Sequence, residues 1–164
     1  MTAMRQEFVN PFLSPAITVW EKELGEPLEL VGATAVSSKF TTTDITAVIG
    51  VTGQLKGNVL YEFNHATALS VAGTMLGEKL ETLDEMALSA LGELANIITG
   101  NATTLLAQAG YMCEISPPVI LEPKGLSLNI TGGIQIQVQF KSASGSLSIR
   151  IGLAEARVTA GATA

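Results

Sequence analysis

Positive charge is scarce in this chain. Nine Lys and Arg stand against fifteen Asp and Glu, a net charge of -6, and no basic run occurs. That balance argues against a nucleic-acid binder, which needs a cationic footprint to meet phosphates. Cysteine is nearly absent. The single Cys113 excludes an intramolecular disulfide and fits a reducing compartment. One histidine, His65, leaves no material for a Ser-His-Asp triad or a multi-histidine metal site. No stretch is long and apolar enough to span a bilayer. Residues 1–35 show no basic start leading into an apolar run, so no secretory signal is read there. These absences predict a cytoplasmic protein without membrane insertion.

What is present points to a folded domain. Hydrophobic residues make up 47% of 164, enough for a sizeable core. One domain is expected over 1–157, with the small residues of 158–164 as a flexible tail. A first helix ends at Leu24 before Gly25, with Asn10 as its N-cap and Pro11 at N1. Strands are expected over 28–37, 45–52 and 55–63, then a helix over 65–77 capped by Asn64. The long helix starts at Thr82-Leu83-Asp84-Glu85, where Thr82 and Glu85 have capping-box spacing, and Gly110 follows it. Strands over 113–122, 132–142 and 145–153 complete the chain. Each half reads helix, glycine, three strands. The expected fold is therefore α+β: a pseudo-twofold α-βββ repeat, with an antiparallel sheet packed against long helices.

The long helix carries the most information. Between Met86 and Gly110 the only charged side chain is Glu93. Apolar residues recur at helical spacing from Leu88 to Ala109 and share one side. The other side holds Ser89, Gly92, Glu93, Asn96, Gly100, Thr103 and Ala107. Helix faces open to water are normally rich in Lys, Glu and Arg. This one is small and nearly neutral, with a carboxylate and a carboxamide as i, i+3 neighbours. On the residues alone, a surface approached closely by a partner and a surface packed tightly inside the protein both remain open.

The segment from Asp84 to Asn96, DEMALSALGELAN, closely resembles the signature helix of the CheX chemotaxis phosphatases, within the CheC/CheX/FliY group. That group's pattern is an acidic residue or Ser, three residues, Glu, two residues, Asn, and a later Pro. Ser89, Glu93 and Asn96 match, and Pro117 and Pro118 fall slightly nearer than the pattern's proline. Asn10-Pro11-Phe12-Leu13, Ile49-Gly50-Val51-Thr52-Gly53 and Ile115-Ser116-Pro117-Pro118 are similar to CheX as well.

The resemblance implies a phosphatase that speeds loss of phosphate from an aspartate of a phosphorylated CheY-type response regulator. It implies Glu93 and Asn96 as catalytic residues, with Ser89, Gly92, Gly100 and Thr103 in the docking face. It implies no cofactor of the chain's own, Mg²⁺ in the partner's active site, and a homodimer through sheet edges. Phosphoryl transfer is mostly positioning and charge stabilisation, so a residue that orients the attacking water suffices. A carboxamide offers donor and acceptor without titrating. A carboxylate can pair with a partner lysine. The alternative is a non-catalytic module that binds a response regulator, in the manner of flagellar switch proteins.

A second E-x-x-N triplet, Glu7-Phe8-Val9-Asn10, precedes Pro11. Because a residue before proline disfavours the α conformation, Glu7 is expected to lie outside the helix and the pair not to form a second site. His65 is expected in the first turn of a short helix, and Cys113 as a small strand residue. Gly50, Gly53 and Gly57 read as strand and turn devices.

Overall fold

A computed structural model describes residues 6–37, 39–41, 44–122, 127–129 and 134–156. The expected tail, 158–164, and the start of the strand expected over 132–142 lie outside them.

A helical run opens the fold: α1 (Gln6–Val9), a 3-10 turn (Asn10–Phe12) and α2 (Leu13–Leu24). The expectation that Asn10 caps the first helix is corrected here. The chain is already helical at Gln6, and no side chain caps the 3-10 turn that contains Asn10 and Pro11. A tight turn absorbs the N–H that Pro11 lacks and re-aims the chain. Pro15 falls in the first turn of α2, where a backbone N–H has no intrahelical partner anyway.

Strands β1 (Glu29–Val36), β2 (Lys39–Thr41), β3 (Ile45–Gly53) and β4 (Leu55–Phe63) follow, then α3 (His65–Leu76) and α4 (Glu85–Gln108). The second half adds β5 (Cys113–Ile115), β6 (Val119–Leu121), β7 (Ser127–Asn129), β8 (Gln135–Ser142) and β9 (Gly145–Glu155). Seven strands form one sheet in the order β1-β8-β9-β4-β3-β5, with β6 also on β3; β2 and β7 pair separately. Every described pairing is antiparallel. The order reads the same from both ends when β1 is exchanged with β5 and β6, β3 with β8, and β4 with β9. The two halves are thus related as a pseudo-twofold repeat.

Two expectations change. Each half carries a further short strand, β2 or β7, so the repeat has four strands rather than three. The strand expected over 113–122 is two three-residue pieces on the same neighbour, β3. Ser116-Pro117-Pro118 separates them, because proline has no N–H to give the ladder. Ser116 bridges the gap to β3: its N–H donates to the Gly50 carbonyl at 2.9 Å, and its Oγ accepts from the Gly50 N–H at 2.8 Å.

The helices cover one face of the sheet. Phe8, Phe12 and Trp20, then Ile49, Tyr61 and Phe63, then Leu91, Leu94 and Ile98 are all fully buried in that core. Each large apolar side chain so buried contributes roughly 1.5–3 kcal/mol before entropy is counted. Asn64 caps α3 as expected, accepting from the Thr67 N–H at 2.8 Å. The Thr82 capping box does not form. Asp84 is the N-cap of α4, accepting from the Ala87 N–H at 2.9 Å. With the cap there, Glu85 is the first helical residue and lies too early to reach back as an N3 partner.

Candidate functional site

The sheet and the other helices bury most of α4. Leu91, Leu94, Ala95, Ile98, Ala102 and Leu106 face inward, so the remaining stripe stays open. Ser89 and Glu93 are exposed on it, and Asn96 is half-buried at its edge. By ideal helix geometry Glu93 and Asn96 lie about 60° apart round the axis and about 4.5 Å apart along it. Among the described residues neither side chain has a hydrogen-bond or ion-pair partner. A carboxylate and a carboxamide are therefore held on a rigid element, side by side, with their hydrogen-bonding capacity unspent.

The proposed docking residues divide. Gly100 is half-exposed, and a Cβ added there would meet nothing within 4 Å. Thr103 is half-buried and turned back on its own helix, its hydroxyl donating to the Gly100 carbonyl at 2.8 Å. Gly92 is a correction: it is buried and not part of the open stripe. A Cβ there would come within 3.3 Å of Pro118 Cγ and 3.4 Å of Ile120 Cδ1. The glycine lets the proline turn between β5 and β6 close onto α4, beside Ser89 and Asn96. For this residue the packing reading holds.

The second triplet is also rearranged. Glu7 lies within α1 and Asn10 in the 3-10 turn, so both belong to one helical run, contrary to expectation. Glu7 is exposed but engaged within the chain, its carboxylate accepting from the Tyr111 hydroxyl at 3.0 Å. The Tyr111 ring meets Phe8 edge-on, with centroids 5.2 Å apart. Asn10 borders an apolar groove of about 420 Å³ between this run and β1 and β8.

Under Asn96 lies a feature that the periodicity of α4 did not signal. Thr99 Oγ1 is 2.7 Å from the Tyr61 hydroxyl and donates to the Ala95 carbonyl at 2.7 Å. Both side chains are fully buried. Burial pushes the Tyr61 pKa far up, against the smaller opposing effect of its Thr99 hydrogen bond, so the phenol stays protonated. The clue in the sequence was a tyrosine at an inward strand position, since a buried Tyr hydroxyl needs a partner. Among the described residues the buried carboxylate is Glu62, on the opposite face of the sheet. Burial raises its pKa, Arg150 at 3.5 Å lowers it, and Asp44 adds a further rise. Among the described residues no three His, Cys, Asp or Glu side chains gather as a metal site. No helix there is long and apolar enough to cross a membrane.

Residues 45–141 match the family model for chemotaxis phosphatase CheX. The chain belongs to the CheX family. The CheY-P phosphatase CheX of Thermotoga maritima is 37% identical over 91 residues, 55% of this chain. That match spans 59% of the relative's length. The crystal structure of CheX from Vibrio vulnificus superposes with a TM-score of 0.79 at 29% identity, over 90% of this chain and 99% of that one. A complex of CheX with CheY, BeF₃ and Mg²⁺ from Borrelia burgdorferi is similar at a TM-score of 0.79 and 24% identity. It covers 92% of this chain and 100% of that one, a likeness of fold alone.

Proposed function

We propose that this chain hydrolyses the aspartyl phosphate of a CheY-type receiver domain, with Glu93 and Asn96 as the working residues. The observation that carries the reading is their placement side by side on α4, Glu93 exposed and Asn96 at the edge of the open stripe, neither with a partner among the described residues, in a chain of the CheX family. A scaffold has no need of this pair. The T. maritima relative, a CheY-P phosphatase, supports the same activity here.

In this reading α4 lies across the partner's phosphorylated carboxylate. The Asn96 carboxamide oxygen accepts a hydrogen bond from the attacking water and so orients it, while its NH₂ donates to neighbouring acceptors. The water attacks phosphorus in line, the P–O bond to the partner's aspartate breaks, and inorganic phosphate leaves. Mg²⁺ belongs to the partner's site and balances charge on the phosphoryl oxygens. Glu93 pairs with a partner lysine and fixes the register of docking. Ser89 and Gly100 keep the stripe low on either side. The chain acts in the cytoplasm, where receivers are phosphorylated, and as a homodimer through the exposed edge of β1.

Phosphate release from phosphorylated receiver domains of the same organism tests the assignment. Faster release with catalytic amounts of the chain is the expected result. Tight binding without faster release would replace it with sequestration.

A further inference from the structure

We propose that Tyr61 and Thr99 form a buried positioning relay that sets the orientation of Asn96. The inference rests on Asn96 being the water-orienting residue. The proton count fixes the direction of the chain of bonds. Thr99 has one hydroxyl hydrogen, and the Ala95 carbonyl can only accept. That hydrogen goes to Ala95 at 2.7 Å, so the Tyr61 hydroxyl, 2.7 Å from Thr99 Oγ1, donates to Thr99. The reverse arrangement would leave the phenolic hydrogen unmatched in a fully buried position.

The carbonyl at the end of this chain belongs to the peptide unit whose nitrogen is Asn96's. Three parts are thus joined: central strand β4 through Tyr61, the helix interior through Thr99, and the backbone that carries the Asn96 side chain. Tyr61 pairs in register with Ala47 on β3 and Ile149 on β9, so the relay starts from an interior strand hydrogen-bonded on both sides. Hydrogen bonds in series in a dry interior polarise one another and resist displacement. A Thr hydroxyl bonded to the carbonyl four residues back also bends a helix locally. The Thr99 bond spans the turn from Ala95 to Thr99, which holds Asn96.

The test separates hydroxyl chemistry from packing. Tyr61→Phe keeps the ring and removes the donor; Thr99→Val keeps the shape and removes the relay. Each is expected to lower kcat about 5- to 10-fold with KM for the phosphorylated receiver unchanged, a fraction of the roughly 100-fold that an ångström of misplacement costs. Thr99→Ser, which keeps the hydroxyl, is expected to recover most of the rate. A second readout needs no partner. The Asn96 side-chain amide resonances are expected to shift and broaden in Tyr61→Phe and Thr99→Val and to stay put in Thr99→Ser. Unchanged kcat in both variants, or Asn96 resonances that do not move, would overturn the relay. If the wild type proves inactive on every receiver while the Asn96 resonances respond as expected, the relay stands and the phosphatase reading falls.

Discussion

A carboxamide does not titrate, so Asn96 presents the same donors and acceptor at every working pH. Its proposed task is confined to one water, and its side chain makes no hydrogen bond among the described residues. Asn96→Ala is therefore expected to cut receiver dephosphorylation by about 100-fold or more, the scale of lost positioning. The melting temperature should stay within a few degrees of wild type. Normal turnover would remove Asn96 from the mechanism. Glu93 has a different role and a different signature. It is exposed before docking and desolvated after, where losing one member of a charge pair is costly. Glu93→Ala should weaken binding of a receiver carrying a stable phosphoryl mimic by roughly 10- to 100-fold, and Glu93→Lys by more, because it sets like charges together. Equal affinities across wild type and both variants would show that Glu93 faces away from the partner.

At the scale of the helix, two glycines that looked alike in the sequence behave oppositely. Gly100 has open space around a would-be Cβ, while Gly92 is pressed against Pro118 and Ile120. Gly100→Gln should gain helix propensity, up to about 1 kcal/mol, and raise the melting temperature by about 2–4 °C. It should also weaken receiver binding by giving the low stripe a bulky side chain. Gly92→Gln should lower the melting temperature, since the proline turn must move to admit it. Calorimetry on the pair decides between docking and packing for each position. The sequence could not separate them, because periodicity assigns a residue to a side of a helix but not to what covers that side. The covering turn comes from residues 117–120, far along the chain. The same limit hid the Tyr61–Thr99 contact between residues 38 positions apart. Signals carried by local chemistry were legible: the Asn64 cap, the glycine stops after α2 and α3, the strand segments of β3 and β4, and the antiparallel α+β order. Near Asn10 and Thr82 local rules gave the wrong cap. In each case a second nearby group, the 3-10 turn or Asp84, took over the helix start.

For the whole molecule, the two ends of the sheet differ in how well they resist pairing. At one end β5 and β6 are three residues each and broken by two prolines, a protected edge. At the other, β1 runs eight residues with no proline and no lysine, and all but its last residue are exposed. Leu30 and Val31 there are 50% and 58% exposed, on a strand whose outer edge pairs with no other strand among the described residues. Apolar side chains beside an open ladder are what a second copy of the chain can cover. The proline turn against α4 belongs to the opposite edge, five strand spacings or about 24 Å away across the sheet. Dimerisation through β1 would therefore leave the Glu93–Asn96 stripe free for a receiver on each protomer. Val31→Lys puts a charge into that edge at a site where the folded monomer has room for it. It is expected to convert a dimer to a monomer by light scattering at micromolar concentration, with dephosphorylation per chain within about twofold of wild type, because distant sites act independently. A wild-type protein that is monomeric throughout, or a Val31→Lys protein that stays dimeric, would place any interface elsewhere. A monomeric variant with lost turnover would mean that the second copy helps build the site.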